Sequence, residues 1–222
     1  MKIFIRTVGQ SLCDEWFLQR VCRISASEKP HFIKTCLLKN LDILARKFVE
    51  EQKDLSHLRA IKHGNKFEKV ALLQYKKDFK AEVVPAGLFI KPDKPFLCAS
   101  PDGVVIKNGS IEKIVEIKCP YTCSTKPIFN EVEGKFNVTY LHKDAEKVTY
   151  LSSTHKYYTQ CQIQMYVCGL STCDFYVWSP IKSELVAVTR DEKFLLQLIP
   201  KIEHFYFSYL LKAIMNKDIN EP

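Results

Sequence analysis

A chain of 222 residues is long enough for one substantial α/β domain and short for two. Its 46% hydrophobic and 12% aromatic residues exclude a disordered protein, which would be poorer in both. The 33 Lys and Arg residues against 25 Asp and Glu residues give a formal net charge of +8. This positive excess suits a polyanionic partner such as nucleic acid without establishing one.

The nine cysteines and the opening segment bear on location. The first ten residues lack the apolar core of a signal peptide, and no window approaches the roughly 18 apolar residues of a membrane span. We therefore predict an intracellular protein of the nucleus or cytoplasm, not secreted and with no membrane partner, whose thiols are reduced. Cys119 and Cys123 resemble half a zinc site, but a companion pair with adjacent His is missing, which favours buried or incidental thiols.

The first third of the chain has the apolar spacing of helices. A short helix is predicted around Asp14–Val21, and Ser25-Ala26-Ser27-Glu28 has the hydroxyl and acid of a helix start. Leu37 to Leu58 carries apolar residues at helical spacing. Gly64 is expected to break this pattern, and a further helix is predicted over Asn65–Tyr75. Its inward residues would be Phe67, Val70, Ala71 and Leu72.

Strands are predicted next, because β-forming residues alternate with turn signals. The predicted strands are Val83–Ile90, Phe96–Ser100, Gly103–Ile106 and Ile111–Lys118, with a turn at Lys107-Asn108-Gly109.

The remainder begins with a polar, irregular stretch to about Ser153. A helix over Tyr157–Gly169 and strands over Cys173–Trp178 and Leu185–Val188 are predicted after it. Asp191–Met215 reads as a closing helix that Pro200 should bend or divide. This order, with no internal repeat, predicts one domain over residues 1–222. Its fold class would be α/β, with a central mixed β-sheet flanked by helices.

Asp102 is the first candidate for chemistry. It follows a predicted strand within Ala99-Ser100-Pro101-Asp102-Gly103, where Pro fixes one backbone angle and Gly permits tight geometry. The acid would therefore be presented at a bend. Taken alone, these residues are more often an ordinary turn.

Glu116 and Lys118 strengthen that candidate. Strand side chains alternate, so Ile114, Glu116 and Lys118 share one face. A hairpin through Asn108-Gly109 would return Glu116 beside Asp102, where two carboxylates repel unless a cation binds. Hard oxygen ligands select Mg²⁺ or Mn²⁺, and a lysine on the same face can orient a water and offset charge on a phosphate.

Two helices offer further polar groups. Glu68 could reach a second cation from the helix side, although alone it resembles a solvated glutamate between lysines. Gln160 and Gln164 lie four apart on one face of the predicted helix, with Gln162 turned away. An amide there could hold a water or a metal ligand, or be exposed polarity.

An ordered set of motifs runs along the chain: Gly64-x-x-x-Glu68, Ser100-Pro101-Asp102-Gly103, Glu116-Ile117-Lys118-Cys119-Pro120 and Tyr157-x-x-Gln160-x-Gln162. Trp16-x-x-x-Arg20 with Ile24-Ser25-Ala26-Ser27-Glu28 precedes it, and Arg190-Asp191-Glu192-Lys193 follows. This set resembles the phage lambda exonuclease and YqaJ viral recombinase family of the PD-(D/E)XK nuclease superfamily. The resemblance spans a core of about residues 16–215.

The resemblance implies a Mg²⁺- or Mn²⁺-dependent exonuclease that degrades one strand of duplex DNA from its 5′ end. Asp102 and Glu116 match the metal-binding acids, with the backbone carbonyl of Ile117 as a further ligand, and Lys118 matches the catalytic lysine. The helix acid and the motif glutamine correspond to Glu68 and Gln160. Arg20 and Ser27 match residues that hold a 5′ phosphate.

The chain departs from that pattern after Pro120, where the phage enzyme has a further phosphate-binding arginine and this sequence reads Tyr121-Thr122-Cys123-Ser124-Thr125 with Lys126 nearby. 5′-phosphate dependence and processivity therefore stay open. A catalytically inactive DNA-binding module, a structure-specific endonuclease and a plain interaction domain are the alternatives. A ring-shaped homo-oligomer is implied by analogy with the phage enzyme only.

Overall fold

The computed structural model describes residues 3–50 and 57–220, with side chains through residue 217. The helices are α1 (Ile3–Arg6), α2 (Asp14–Arg20), α3 (Lys29–Thr35), α4 (Leu41–Val49), α5 (Arg59–Phe79), α6 (Lys156–Cys168), α7 (Glu192–Phe205) and α8 (Leu211–Asn220). The strands are β1 (Ile24–Ser25), β2 (Glu82–Val84), β3 (Phe89–Ile90), β4 (Leu97–Ala99), β5 (Gly103–Lys107), β6 (Ser110–Lys118), β7 (Phe129–Asn130), β8 (Lys135–Phe136), β9 (Leu141–Lys143), β10 (Thr149–Leu151), β11 (Thr172–Val177) and β12 (Glu184–Thr189). None of these helices is both long enough and apolar enough to cross a membrane.

A five-stranded sheet in the order β12-β11-β6-β5-β2 forms the centre of the fold. Strands β6 and β11 are parallel and the other neighbours are antiparallel. The predicted mixed sheet flanked by helices is therefore confirmed. A second small sheet, in the order β1-β4-β3, pairs Ile24 with Leu97 and leads the chain into Asp102.

The two faces of the central sheet carry different helices. On one face, Ala71 and Tyr75 of α5 pack with Val115 and Ile117 of β6. On the other face, Cys161 and Met165 of α6 join a cluster that includes Ile114. Strand alternation thus sends Val115 and Ile117 toward α5, and Ile114 and Glu116 toward α6.

The predicted hairpin between β5 and β6 is confirmed. Asn108 and Gly109 have positive φ values of 50° and 74°, as a two-residue turn between twisted strands requires. The ladder ends with Gly103 paired to Val115, so Asp102, which immediately precedes β5, lies next to Glu116.

Helix α5 runs through Gly64, and the predicted break at this residue was wrong. A mid-helix glycine costs about 1 kcal/mol relative to alanine, less than the packing of the apolar side of a 21-residue helix contributes. The prediction that Val70 faces inward was also wrong, since Val70 is exposed.

Two further helix predictions need correction. Within Leu37–Leu58 the α-helix begins only at Leu41, after a 3₁₀ turn (Leu38–Asn40), and ends at Val49; residues 51–56 lie outside the described part of the chain. The helix predicted to start at Ser25-Ala26-Ser27-Glu28 starts at Lys29, because Ile24–Ser25 pairs as a strand with β4.

The predicted strand Val83–Ile90 divides into β2 and β3, which belong to different sheets. Pro85 has no backbone N–H to donate to a ladder. At Gly87 the N–H bonds to the carbonyl of Phe4 at 3.1 Å, and a Cβ there would lie 2.4 Å from that oxygen. The chain therefore turns between β2 and β3, and its backbone at Gly87 packs against α1.

The C-terminal half is closer to the prediction. The stretch to Ser153 holds a 3₁₀ turn (Tyr121–Cys123) and the short strands β7 to β10 rather than only irregular chain. Helix α6 and strands β11 and β12 match within two residues. Helix α7 continues through Pro200, and the helix is divided instead by a π-helical segment, Tyr206–Leu210.

Candidate active site

Asp102 lies at the bend that the sequence predicts, and its carboxylate is anchored to the neighbouring strand. Its own N–H donates to the carbonyl of Val115 at 3.1 Å. Its Oδ2 accepts the backbone N–H of Ile117 at 2.6 Å. Just before β5 begins, the carboxylate therefore takes the place of the next backbone acceptor of the ladder, and β6 fixes its orientation.

Glu116 is a charged side chain in the interior, with 1% of its surface exposed. Its Oε1 accepts hydrogen bonds from Lys118 and, at 2.6 Å, from the Gln160 amide. Its Oε2 accepts from the Gln164 amide at 2.7 Å. Such donors are what a buried carboxylate needs to offset its loss of hydration.

Lys118 pairs with Glu116 and lies 4.9 Å from the centre of the Tyr157 ring at the start of α6. Burial alone would lower the pKa of Lys118, but the negative charges of Glu116 and Asp102 raise it overall. The lysine is therefore a fixed positive charge.

Glu68 approaches from the other face of the sheet, on α5. The charges of Glu116 and Lys118 act on the Glu68 carboxyl. The structure thus brings a third acid to the same end of the sheet. The pKa of Glu68 is raised, mainly because the surrounding protein removes water from its carboxyl and secondly because the charge of Glu116 repels it.

Gln162 points away from these acids, as its place on the helix predicts. Its amide donates to the carbonyl of Thr189 at 2.9 Å, and its oxygen accepts the N–H of Asp191 at 2.7 Å. Gln162 thus joins α6 to the start of α7.

Sequence reasoning noted Gln164 without assigning it to the site, and it did not single out Tyr157 by itself. The signal for Gln164 was its spacing of four from Gln160, which places both amides on one face of α6. For Tyr157, which begins the Tyr157-x-x-Gln160 motif, nothing in the sequence pointed to contact with Lys118.

Asp102, Glu116 and Glu68 repel one another electrostatically at this end of the sheet. The pKa of Asp102 is raised well above its usual value, mainly by burial and then by repulsion from Glu116 and Glu68. Among the described residues, no three acid, imidazole or thiol side chains already stand in a metal-ligating arrangement, and Lys118 supplies the charge that balances Glu116. The donor set fits a divalent cation, because its atoms are hard oxygens that repel each other without one.

The carbonyl of Ile117 belongs to the same edge. The N–H and C=O of a residue in a strand point toward the same neighbouring strand. Because the N–H of Ile117 bonds to Asp102, the Ile117 carbonyl oxygen points to the Asp102 side. On the opposite side, the carbonyl of Lys118 accepts the N–H of Trp178 at 2.8 Å.

Arg20 and Ser27 lie together in a different place, a cavity of about 1090 Å³. Its lining includes the cations Arg20, Arg23, Lys29, Lys47 and Lys217. Glu28 is the one acid among the described residues of the lining, and it pairs with Lys156 outside the cavity. Burial lowers the pKa of Arg20 and of Lys29, because it removes part of the water around both charges. Neither Arg20 nor Lys29 forms an ion pair with a carboxylate among the described residues.

Within the described part of the chain, Arg20 forms no ion pair with an acid and Ser27 does not cap a helix. Arg20 stacks on Trp16, at 3.9 Å from the ring centre, rather than pairing with Asp14 or Glu28. Helix α3 has Glu28, not Ser27, at its cap position and no side-chain capping bond.

Two contacts connect the cavity to the strand that leads to Asp102. The indole N–H of Trp16 donates to Ser100 Oγ at 2.8 Å, two residues before Asp102. Strands β1 and β4 run parallel, with Ser25 beside Cys98. At about 3.3 Å per residue, Asp102 lies within roughly 13 Å of Cys98.

The segment after Pro120, where the resemblance leads one to expect an arginine, packs on α5. Tyr121 meets His63 edge-on with ring centres 5.6 Å apart. Cys123 is buried, and Lys126 is exposed.

Comparison with known proteins adds the following. Residues 15–171 match the family profile of the YqaJ-like viral recombinase domain. "Uncharacterized protein R354" of Acanthamoeba polyphaga mimivirus is 30% identical over 122 residues, which are 52% of this chain and 19% of that protein. The chain therefore spans about a fifth of the length of this relative.

Two solved structures share the fold. The alkaline exonuclease of Laribacter hongkongensis has a TM-score of 0.65 at 20% identity, over 92% of this chain and 96% of that one. The SOX–DNA complex, SOX being the shutoff and exonuclease protein of Kaposi's sarcoma-associated herpesvirus, has a TM-score of 0.58 at 12% identity, over 96% and 71% of the two chains. The fold of the chain is thus the one found in these two exonucleases.

Proposed function

The chain belongs to the YqaJ-like viral recombinase domain family, and on this premise we propose that it is a metal-dependent DNA nuclease. The reaction is hydrolysis of phosphodiester bonds in double-stranded DNA, proceeding from the 5′ end. The nuclease activity is supported by the fold that the chain shares with an alkaline exonuclease and with a shutoff and exonuclease protein.

The observation that carries the proposal is the meeting of Asp102, Glu116 and Lys118 at one end of the central sheet. Asp102 and Glu116 interact electrostatically with each other and with Glu68. Lys118 contacts Glu116 directly. A plain interaction surface has no need of a repulsion that raises the pKa of Asp102 and of Glu68, since this repulsion reduces the stability of the fold.

Asp102, Glu116, Glu68 and the Ile117 carbonyl would hold Mg²⁺ or Mn²⁺, which when bound supplies Lewis acidity toward the scissile phosphate and the attacking water. Lys118 positions that water and stabilises the negative charge that develops on the phosphate. Gln160 and Gln164 keep both oxygens of Glu116 in place. Exposed Glu68 completes the oxygen set from α5.

The cavity that contains Arg20 and Ser27 supports recognition of a terminal 5′ phosphate. Arg20 offers a planar set of donors that can grip two phosphate oxygens. Arg20 stacks on Trp16, which holds its guanidinium in place without an ion pair to a described acid. Ser27 adds a hydroxyl, since its side chain makes no capping bond to α3. A phosphate there would replace the hydration that these cations have lost.

The test is digestion of linear duplex DNA labelled at the 5′ or at the 3′ end, with Mg²⁺ and then with EDTA. Release of labelled mononucleotide from the 5′ end, in Mg²⁺ only, is expected. A ladder of internal fragments, or cutting of closed circular DNA, would identify an endonuclease. Binding without cleavage in either Mg²⁺ or Mn²⁺ would identify the inactive DNA-binding module.

A further inference from the structure

The outer face of helix α5 has an unusual charge distribution. At 100° per residue, its basic residues fall within an arc of about 100° opposite the buried residues Ala71 and Tyr75. We call this set the basic face of α5; it consists of Arg59, Lys62, Lys66, Lys69, Lys76 and Lys77. All are exposed except the half-buried Lys76.

No acid balances this face within the described part of the chain. The helix has two acidic residues, and neither lies on the basic face: Glu68 turns toward the candidate active site, and Asp78 is engaged by Gln74 and Tyr176. None of the six cations forms an ion pair with a described acid. An exposed helix more commonly alternates the two signs of charge.

The arrangement destabilises the isolated helix. Arg59, Lys62, Lys66 and Lys69 follow one another at spacings of three and four residues, where like charges repel by a few tenths of a kcal/mol per pair. A bound polyanion would turn this repulsion into attraction.

The basic face adjoins the candidate active site. Glu68 lies between Lys66 and Lys69 in the chain, and the positive charge of Lys69 acts on the Glu68 carboxyl. From Arg59 to Lys77 the helix rises about 27 Å, at 1.5 Å per residue. This length is close to one turn of duplex DNA, about 34 Å.

We propose that the basic face of α5 binds the phosphate backbone of duplex DNA next to the candidate active site. The inference deepens the proposed function, on which it rests for the choice of DNA. A row of cations matches a row of regularly spaced phosphates. An anionic membrane surface is a poorer fit, because an interfacial helix inserts its apolar side and that of α5 is buried against the sheet.

The experiment measures binding of the full chain to a labelled duplex by fluorescence anisotropy in EDTA, so that no cleavage is required. The variant is K62Q/K66Q/K69Q. Its matched control is K39Q/K193Q/K201Q, which removes the same charge from three lysines that are exposed elsewhere on the surface and form no ion pair with a described acid. Circular dichroism checks that both are folded, and K76Q/K77Q provides a second variant of the same face.

Over roughly 50 to 200 mM salt, the slope of log K against log salt should become shallower by about 2 to 3 in K62Q/K66Q/K69Q, since each phosphate contact contributes about 0.9. K76Q/K77Q should lose about 1 to 2, and the control should keep the wild-type slope. Equal slopes in the control and the K62Q/K66Q/K69Q variant would overturn the proposal, as would binding of the wild type to anionic vesicles but not to duplex DNA.

The outcome is independent of catalysis. If the protein cleaves DNA in Mg²⁺ but the slopes do not differ, the proposed function stands and the DNA-binding role of the basic face is refuted. A protein that never cleaves but shows the difference keeps the basic face and loses the nuclease.

Discussion

The carboxylate of Asp102 accepts the backbone N–H of Ile117 at 2.6 Å, just before β5 begins and opposite the end of β6. One oxygen of the acid is thereby fixed to the strand that also presents Glu116 and Lys118. The Ile117 carbonyl points to the Asp102 side of β6, as its N–H does. The spacing between the candidate ligands is therefore set by strand geometry rather than by a loop.

Lys118→Ala should reduce the rate of DNA cleavage by about 10²–10³, because a positioned group that stabilises the transition state is lost. DNA binding should remain largely intact. The measurement is single-turnover cleavage in Mg²⁺ beside anisotropy in EDTA, with Lys107→Ala on the same hairpin as the control. Cleavage at the wild-type rate would show that Lys118 has no catalytic role.

Asp102→Asn should raise the midpoint of thermal unfolding in EDTA. The amide oxygen can still accept the N–H of Ile117, while the repulsion that raises the pKa of Asp102 disappears. Addition of Mg²⁺ should stabilise the wild type, as any ligand of the native state does, and should have little effect on the variant. The same increase with Mg²⁺ in both proteins would place the cation elsewhere.

Gln164→Leu should weaken the binding of Mg²⁺, raising the Mg²⁺ concentration at half-maximal activity by about 10- to 100-fold. Its amide donates to Oε2 of Glu116, and without that bond the carboxylate is held through Oε1 alone, by Lys118 and Gln160. Differential scanning fluorimetry with a Mg²⁺ titration gives a second reading that does not need activity.

Gln162→Leu is the matched control, two residues away on the opposite side of α6. It leaves the N–H of Asp191 without its acceptor, so the free energy of unfolding should fall by about 1–3 kcal/mol. The half-saturating Mg²⁺ concentration should not change. If both variants altered it equally, Gln164 would be a packing residue only.

Arg20→Ala should remove most of the preference for 5′-phosphorylated ends over hydroxyl ends. Arg20 lines a cavity with several cations and stacks on Trp16, where a phosphate can be gripped. Competition between the two duplexes in one reaction measures the preference, with Arg190→Ala, paired to Glu192, as the control. Equal digestion of both ends by the wild type would remove the basis of the assignment.

The sequence alone determined the elements whose signals are local. Asn108-Gly109 sets the hairpin, alternation along β6 sets the common face of Ile114 and Glu116, and Gly169 ends α6 with a φ of 71°. These features follow from backbone sterics within a few residues. The ordered motifs likewise indicated the family without any coordinates.

Only the tertiary structure decided where distant segments meet. Long-range packing carried α5 through Gly64, and the approach of Phe4 to Gly87 divided the predicted strand Val83–Ile90. Glu68, Gln164 and Tyr157 reach Glu116 and Lys118 from two different helices, and no spacing along one element encodes such contacts. Pairing across the sheet and burial against it have energies that depend on residues far apart in sequence, which local patterns do not contain.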